Sequence, residues 1–222
     1  MKREAYFTVE TIVSKSREML DALSSLSSRH ADITFRRERS ALLVLDMQEY
    51  FLRPASHAFI PSALAILPNL QLLISNYRSS NLLIIFTRHV NTNADAAMMS
   101  RWWRDVIRAD ALDSVISPAL DSSAGITIEK SQYDAFYKTS LEEVLRSRGV
   151  EQVVITGVMT HLCCETTARS AFVRGFEVFF CVDGTATYTE AFHRASLLNL
   201  SHGFAVPVLS ADVAMTSVVP SG

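Results

Sequence analysis

The sequence has little of several things, and each shortage excludes a class. Three cysteines in 222 residues, two of them adjacent, are too few for a disulfide framework. This predicts free thiols in a reducing, cytoplasmic setting. No apolar run approaches the ~20 residues of a membrane span. The opening MKREAYFTVE carries an early glutamate and no continuous apolar stretch, so no signal peptide and no membrane partner are expected. Neither sign of charge dominates. The formal net charge is -2, which gives no basic field for nucleic acid and no acidic tail. There is no internal repeat and no low-complexity stretch. With 49% hydrophobic residues, the chain can build a full α/β core.

The pattern that remains is an alternation. Residues 8–29 carry Val9, Ile12, Val13, Met19, Leu20, Leu23 and Leu26 at spacings of three and four, which predicts an amphipathic helix. It could lie on its own domain or act as an arm on another subunit. Residues 27–40 read as a charged linker, with Arg36, Arg37, Glu38 and Arg39 solvated. Residues 1–40 are thus expected to form a helical extension to a domain spanning 41–222.

Within that domain, apolar runs typical of buried parallel strands fall at 41–46, 82–87 and 153–156, and further strands are read at 126–130, ending on a lysine, and at 178–183. A last strand at 205–209 contains Pro207, which removes a ladder donor and predicts a sheet edge. Helices are expected at 62–78, 96–108, after the Thr139-x-x-Glu142 box, from Cys163 or Cys164 to Arg174, and after Thr187-x-x-Glu190. Six strands with helices between them imply a three-layer α/β/α fold of Rossmann-like type. Its sheet should be parallel, with right-handed crossovers.

Three chemically active residues end separate strand patterns: Asp46, Lys130 and Cys163. Open parallel sheets bind ligands at that edge. Cys163 would sit where a strand hands over to a helix. Unpaired N–H groups and the helix dipole there favour a thiolate and can hold an oxyanion. The bland reading is inert packing, common for cysteine. The chemical reading makes Asp46 the base, Lys130 a cation that lowers both neighbouring pKa values, and Cys163 a nucleophile forming a thioester. Cys164, one residue on, is expected to pack on the sheet.

The blocks LLVLDMQEYF, EKSQYDAFYKTSLEEVLRSRGVEQVVITGV and GVMTHLCCETTARSAF resemble the isochorismatase-like cysteine hydrolases, over Ala41 to about Asp212. The resemblance implies a six-stranded parallel sheet of order 3-2-1-4-5-6, with the catalytic aspartate, lysine and cysteine on Asp46, Lys130 and Cys163. It also implies a cis bond at Val158–Met159, with the N–H groups of Met159 and Cys163 as the oxyanion hole. Nicotinamidases of this family carry an Asp-x-His metal motif. Here the segment reads Thr87–Arg88–His89, so no metal and no other cofactor is expected, and His89 becomes a hydrogen-bonded pocket residue. Isochorismatases have glycine where this chain has Cys163, which favours C–N cleavage of an amide, carbamoyl or imide over vinyl-ether hydrolysis with Asp46 as general acid. Candidate substrate-binding residues are Phe51, Arg88, Trp102, Trp103, Tyr133 and His161, with Met159 in the same wall. The expected partners are a small-molecule substrate and further copies of the chain, as a dimer or tetramer. A catalytically idle interaction module and a Cys163–Cys164 redox protein are the competing readings.

Overall fold

A computed structural model describes residues 2–27 and 32–216. The end of the helix expected at 8–29, and part of the expected linker, lie outside the described residues. The strands are β1 (Ser40–Leu45), β2 (Ile84–His89), β3 (Ile126–Lys130), β4 (Gln152–Val158), β5 (Glu177–Ala186) and β6 (Val206–Val208). The helices are α1 (Ile12–Asp21), α2 (Ser24–Ser27), α3 (Glu49–Leu52), α4 (Ala63–Ser79), α5 (Met99–Trp102), α6 (Leu141–Ser147), α7 (Glu165–Val173), α8 (Glu190–Gly203) and α9 (Ser210–Met215). The sheet is parallel throughout, in the order β3-β2-β1-β4-β5-β6.

β1 and β4 lie in the middle, and every one of their residues is buried. Their pairing, Leu42 with Val154 and Leu43 with Ile155, joins two apolar runs that have helices on both faces. Pro207 lies on the edge strand β6, opposite Phe180. Near its end β4 shifts register, and Gly157 takes φ +104 there. A Cβ at Gly157 would fall 2.1 Å from the Leu45 carbonyl oxygen, so only glycine lets the ends of β1 and β4 close up. Asp46 follows directly at φ +51, an uncommon left-handed conformation for a residue with a side chain.

Several local expectations need correction. The helix expected over 96–108 shrinks to α5. The chain beyond it forms short turns and bonds to the segments after β2 and β1: it accepts from Asn91 N–H at Ile107, from Tyr50 N–H at Asp113 and from Glu49 N–H at Val115. Arg37 is not solvated. It is 5% exposed and donates to the Asn76 carbonyl at 2.7 Å and to the Ser80 hydroxyl at 3.0 Å, capping the C-terminal turn of α4. Thr189, not Thr187, caps α8, its hydroxyl accepting from Phe192 N–H. α1 lies against its own chain: Phe7, Ile12, Met19 and Leu23 belong to the central core, while Val9 and Val13 face outward.

Candidate active site

β1, β3 and β4 carry Asp46, Lys130 and Cys163 to one point. All three are buried. The Lys130 ammonium lies 2.8 Å from Oδ2 of Asp46 and donates to the Cys163 sulfur at 3.3 Å and to the Gln132 carbonyl at 2.8 Å. β3 lies two strands from β1, and the lysine side chain spans that distance past His89, its partner on β2, whose Nδ1 it meets at 3.2 Å. The Thr87 hydroxyl donates to Oδ1 of Asp46 at 2.6 Å and accepts from the Asp46 N–H at 3.1 Å. Oδ1 is therefore occupied. Oδ2 meets the Lys130 ammonium as an ion pair and is the carboxylate oxygen on the Cys163 side of that contact.

Burial opposes charge on both members of the pair, and attraction between them outweighs it. The charge of Lys130 holds the Asp46 carboxyl below its ordinary value. The charge of Asp46 holds the Lys130 ammonium above its own. Cys163 behaves differently from the expected thiolate. Burial pushes its thiol up to about 12, and the pull of Lys130 only partly offsets this. The resting site is a carboxylate, an ammonium and a neutral thiol. The turn at residues 160–164 is wider than an α-turn, and α7 begins only at Glu165, so the helix terminus lies past Cys163. Cys164 is fully buried, with its sulfur 3.8 Å from the Thr156 carbonyl, and packs in the core.

Cys163 opens onto a cavity of about 270 Å³. Of the candidates read from the sequence, Phe51, Trp103, Tyr133, Met159 and His89 line it. Trp103 donates its indole N–H to the Tyr133 hydroxyl at 2.7 Å. Three other candidates lie elsewhere. Trp102, adjacent to Trp103 and so turned the other way, is 74% exposed. Arg88 alternates to the far side of β2, where Glu129 (2.7 Å) and the Ser114 carbonyl (3.0 Å) take its guanidinium. His161 stacks on Phe192 and bonds the Thr187 hydroxyl at 2.7 Å. Sequence reasoning missed Arg3, Tyr50, Asn91 and Tyr188, which also line the cavity. Their positions depend on long-range packing that no local motif encodes. The Val158–Met159 bond is cis.

Asp46, His89 and Cys163 bring ligand atoms within 4.8 Å of one another, the sole such group of three among the described residues. They do not fit a metal ion. Lys130 touches all three, at 2.8 Å, 3.2 Å and 3.3 Å, so the protein's own cation fills their midst. A divalent ion there would face that ammonium at contact distance.

A buried Asp–Lys–Cys cluster at the C-terminal edge of a 3-2-1-4-5-6 sheet defines the cysteine-hydrolase class of α/β proteins. The isochorismatase domain model matches residues 40–212, and the chain belongs to the isochorismatase family of hydrolases. It is 40% identical over 191 residues to Nicotinamidase 3 of Arabidopsis thaliana, covering 82% of this chain and 92% of that protein. It is 28% identical over 169 residues to Enterobactin synthase component B of Escherichia coli (strain K12), covering 75% of this chain and 59% of that longer protein. A cysteine hydrolase from Pseudomonas syringae pv. phaseolicola 1448A superposes with a TM-score of 0.77 at 25% identity, covering 81% and 92% of the two chains.

Proposed function

We propose that this hydrolase cleaves the C–N bond of a small carboxamide through a thioester on Cys163. The observation that carries this reading is the Lys130 ammonium set 2.8 Å from Oδ2 of Asp46 and 3.3 Å from the Cys163 sulfur, which holds base, cation and nucleophile in one buried contact. Asp46 Oδ2 takes the thiol proton as the sulfur attacks the carbonyl carbon, so a free thiolate never accumulates. The N–H groups of Met159 and Cys163 hold the developing oxyanion. Asp46 passes the proton to the leaving nitrogen, and the C–N bond breaks to release ammonia or an amine. Asp46 then deprotonates a water that attacks the thioester. The carboxylic acid leaves, and the proton returns to sulfur. Lys130 keeps Asp46 ionised between these steps.

The lowered pKa of Asp46 supports this order over vinyl-ether hydrolysis, which needs Asp46 protonated at rest. Likeness to a nicotinamidase supports a flat carboxamide, and the aromatic walls of Phe51, Trp103 and Tyr133 suit a planar ring. The test is a panel of nicotinamide, N-carbamoyl amino acids, ureides and isochorismate, read by ammonia or product release and by mass of the trapped acyl-enzyme. An acyl adduct on Cys163 supports the reading. Turnover of isochorismate alone, with no adduct, would replace it with the general-acid mechanism.

A further inference from the structure

We propose that Arg3 is a specificity-determining residue of this pocket, holding a carboxylate that the substrate carries away from its scissile bond. The inference rests on the reading of Cys163 as nucleophile. Arg3 lies far outside residues 40–212, so the family's common core does not supply it. It reaches the cavity because the chain before α1 forms a strap along its wall. Glu4 N–H donates to the Tyr188 carbonyl at 2.8 Å, and the Ser62 hydroxyl donates to the Glu4 carbonyl at 3.0 Å. The Glu4 carboxylate accepts from the Glu190 N–H at 3.0 Å. Tyr6, itself buried, pairs with Nδ1 of His193 at 2.8 Å and accepts from the Thr187 N–H at 3.0 Å. These bonds fix the backbone beside Arg3.

The guanidinium then stacks over the Tyr188 ring, 5.4 Å from its centroid, and both residues line the cavity that Cys163 opens onto. Stacking holds a guanidinium flat and leaves its N–H fork free for a carboxylate. Among the described residues no carboxylate pairs with Arg3. The single carboxylate lining the cavity, Asp105, is already taken by the Tyr50 hydroxyl at 2.5 Å and by His57 at 3.2 Å. Arg104 adds a second positive charge to the lining. A neutral amide would leave this charge unused, whereas an amide with a second, anionic group would engage it.

Two size-matched thiol reagents test this on the full chain: 3-maleimidopropionate and its neutral primary amide. Each adds the Cys163 sulfur to one alkene carbon and the thiol proton to the other. Peptide mapping identifies the labelled cysteine. In the unaltered protein the anionic reagent should react faster at Cys163, and added salt should shrink its advantage. Arg3→Gln should lower the anionic-to-neutral rate ratio roughly tenfold, the scale of one charge-assisted hydrogen bond, and weaken its salt dependence, leaving only the part that Arg104 supplies. Arg3 is exposed and the strap is anchored by Glu4, Tyr6 and Phe7, so the fold is kept. A ratio unchanged in Arg3→Gln, or one that moves only in Arg104→Gln, would overturn the assignment to Arg3. If neither reagent modifies Cys163 in the unaltered protein, the nucleophile reading fails and takes this inference with it.

Discussion

Nζ of Lys130 lies 3.2 Å from Nδ1 of His89, and one pattern of protons fits that contact. The ammonium donates, so Nδ1 accepts and is bare. Nε2 then carries the proton and donates to Oδ1 of Asn91 at 3.0 Å. His89 is held neutral by burial first and by the charge of Lys130 second, which together lower its pKa to about 4. Burial lowers His161 to about 4 and His193 to about 3. A histidine of ordinary pKa near 6.5 in the unfolded chain binds its proton there before it does so in the fold. Between pH 6.5 and about 4 the unfolded state therefore holds more protons, and stability falls as pH falls. Urea unfolding across that window should show this slope, and His193→Gln should remove about one proton from it. A slope that is flat in the unaltered protein would contradict the neutral assignment of all three.

The two adjacent cysteines should separate cleanly. Cys163 opens onto the cavity, and Cys164 is sealed in the core. Cys163→Ala should reduce amide turnover at least ~10³-fold, as loss of a covalent nucleophile does. Cys164→Ala should cost on the order of 1 kcal/mol of stability and little rate. Steady-state kinetics and urea midpoints on both variants check this. Near-full activity of Cys163→Ala on isochorismate would move the chemistry to Asp46 as an acid.

The middle of the sheet was legible because a strand buried on both faces must be apolar throughout, and Leu42 to Leu45 and Val153 to Ile155 are. Asp46, Lys130 and Cys163 were legible because each lies at or just beyond the end of a strand pattern: Asp46 after β1, Lys130 at the end of β3 and Cys163 in the turn after β4. The electrostatics of Cys163 were not. Local sequence shows a helix terminus and a lysine, both of which lower a thiol pKa, but not the burial that outweighs them. Arg37 and Arg88 show the same limit. A charged residue in a polar stretch reads as solvated or free to bind substrate. The Asn76 carbonyl and the Glu129 carboxylate that occupy these two are set by packing across elements. Trp102 and Trp103 were inseparable in sequence, and a single-residue step of backbone sends one to solvent and the other to the pocket.

The Asp46–Lys130 pair is fully buried, so breaking it should be worse than removing it. Lys130→Met leaves an uncompensated carboxylate and Asp46→Asn an uncompensated ammonium. Each should cost about 3–5 kcal/mol, while the double variant should recover much of that loss. All three should be inactive on amides. Urea unfolding of the cycle reads the coupling. If the two single losses simply add in the double variant, the pair is not the closed electrostatic unit that the 2.8 Å contact implies.

The N-terminal segment should be indispensable to folding. Phe7 is 1% exposed, its N–H donates to the Ser62 hydroxyl at 3.1 Å, and its ring meets His193 edge-on at 5.4 Å. Met19 is buried in the same core, which also contains β1 and β5 residues. Removing residues 1–35 would strip these side chains from the core and expose the apolar surface beneath α1. Phe7→Ala alone should cost about 3–5 kcal/mol, the usual range for a large buried aromatic. Val13, 64% exposed on the outer side of the same helix, serves as the control. Val13→Ser should leave the urea midpoint unchanged within about 0.5 kcal/mol. Unfolding curves of the two variants discriminate an integral segment from a detachable arm. A detachable arm would give equal, small effects for Phe7→Ala and Val13→Ser, together with a change in solution mass for the outward-facing variant.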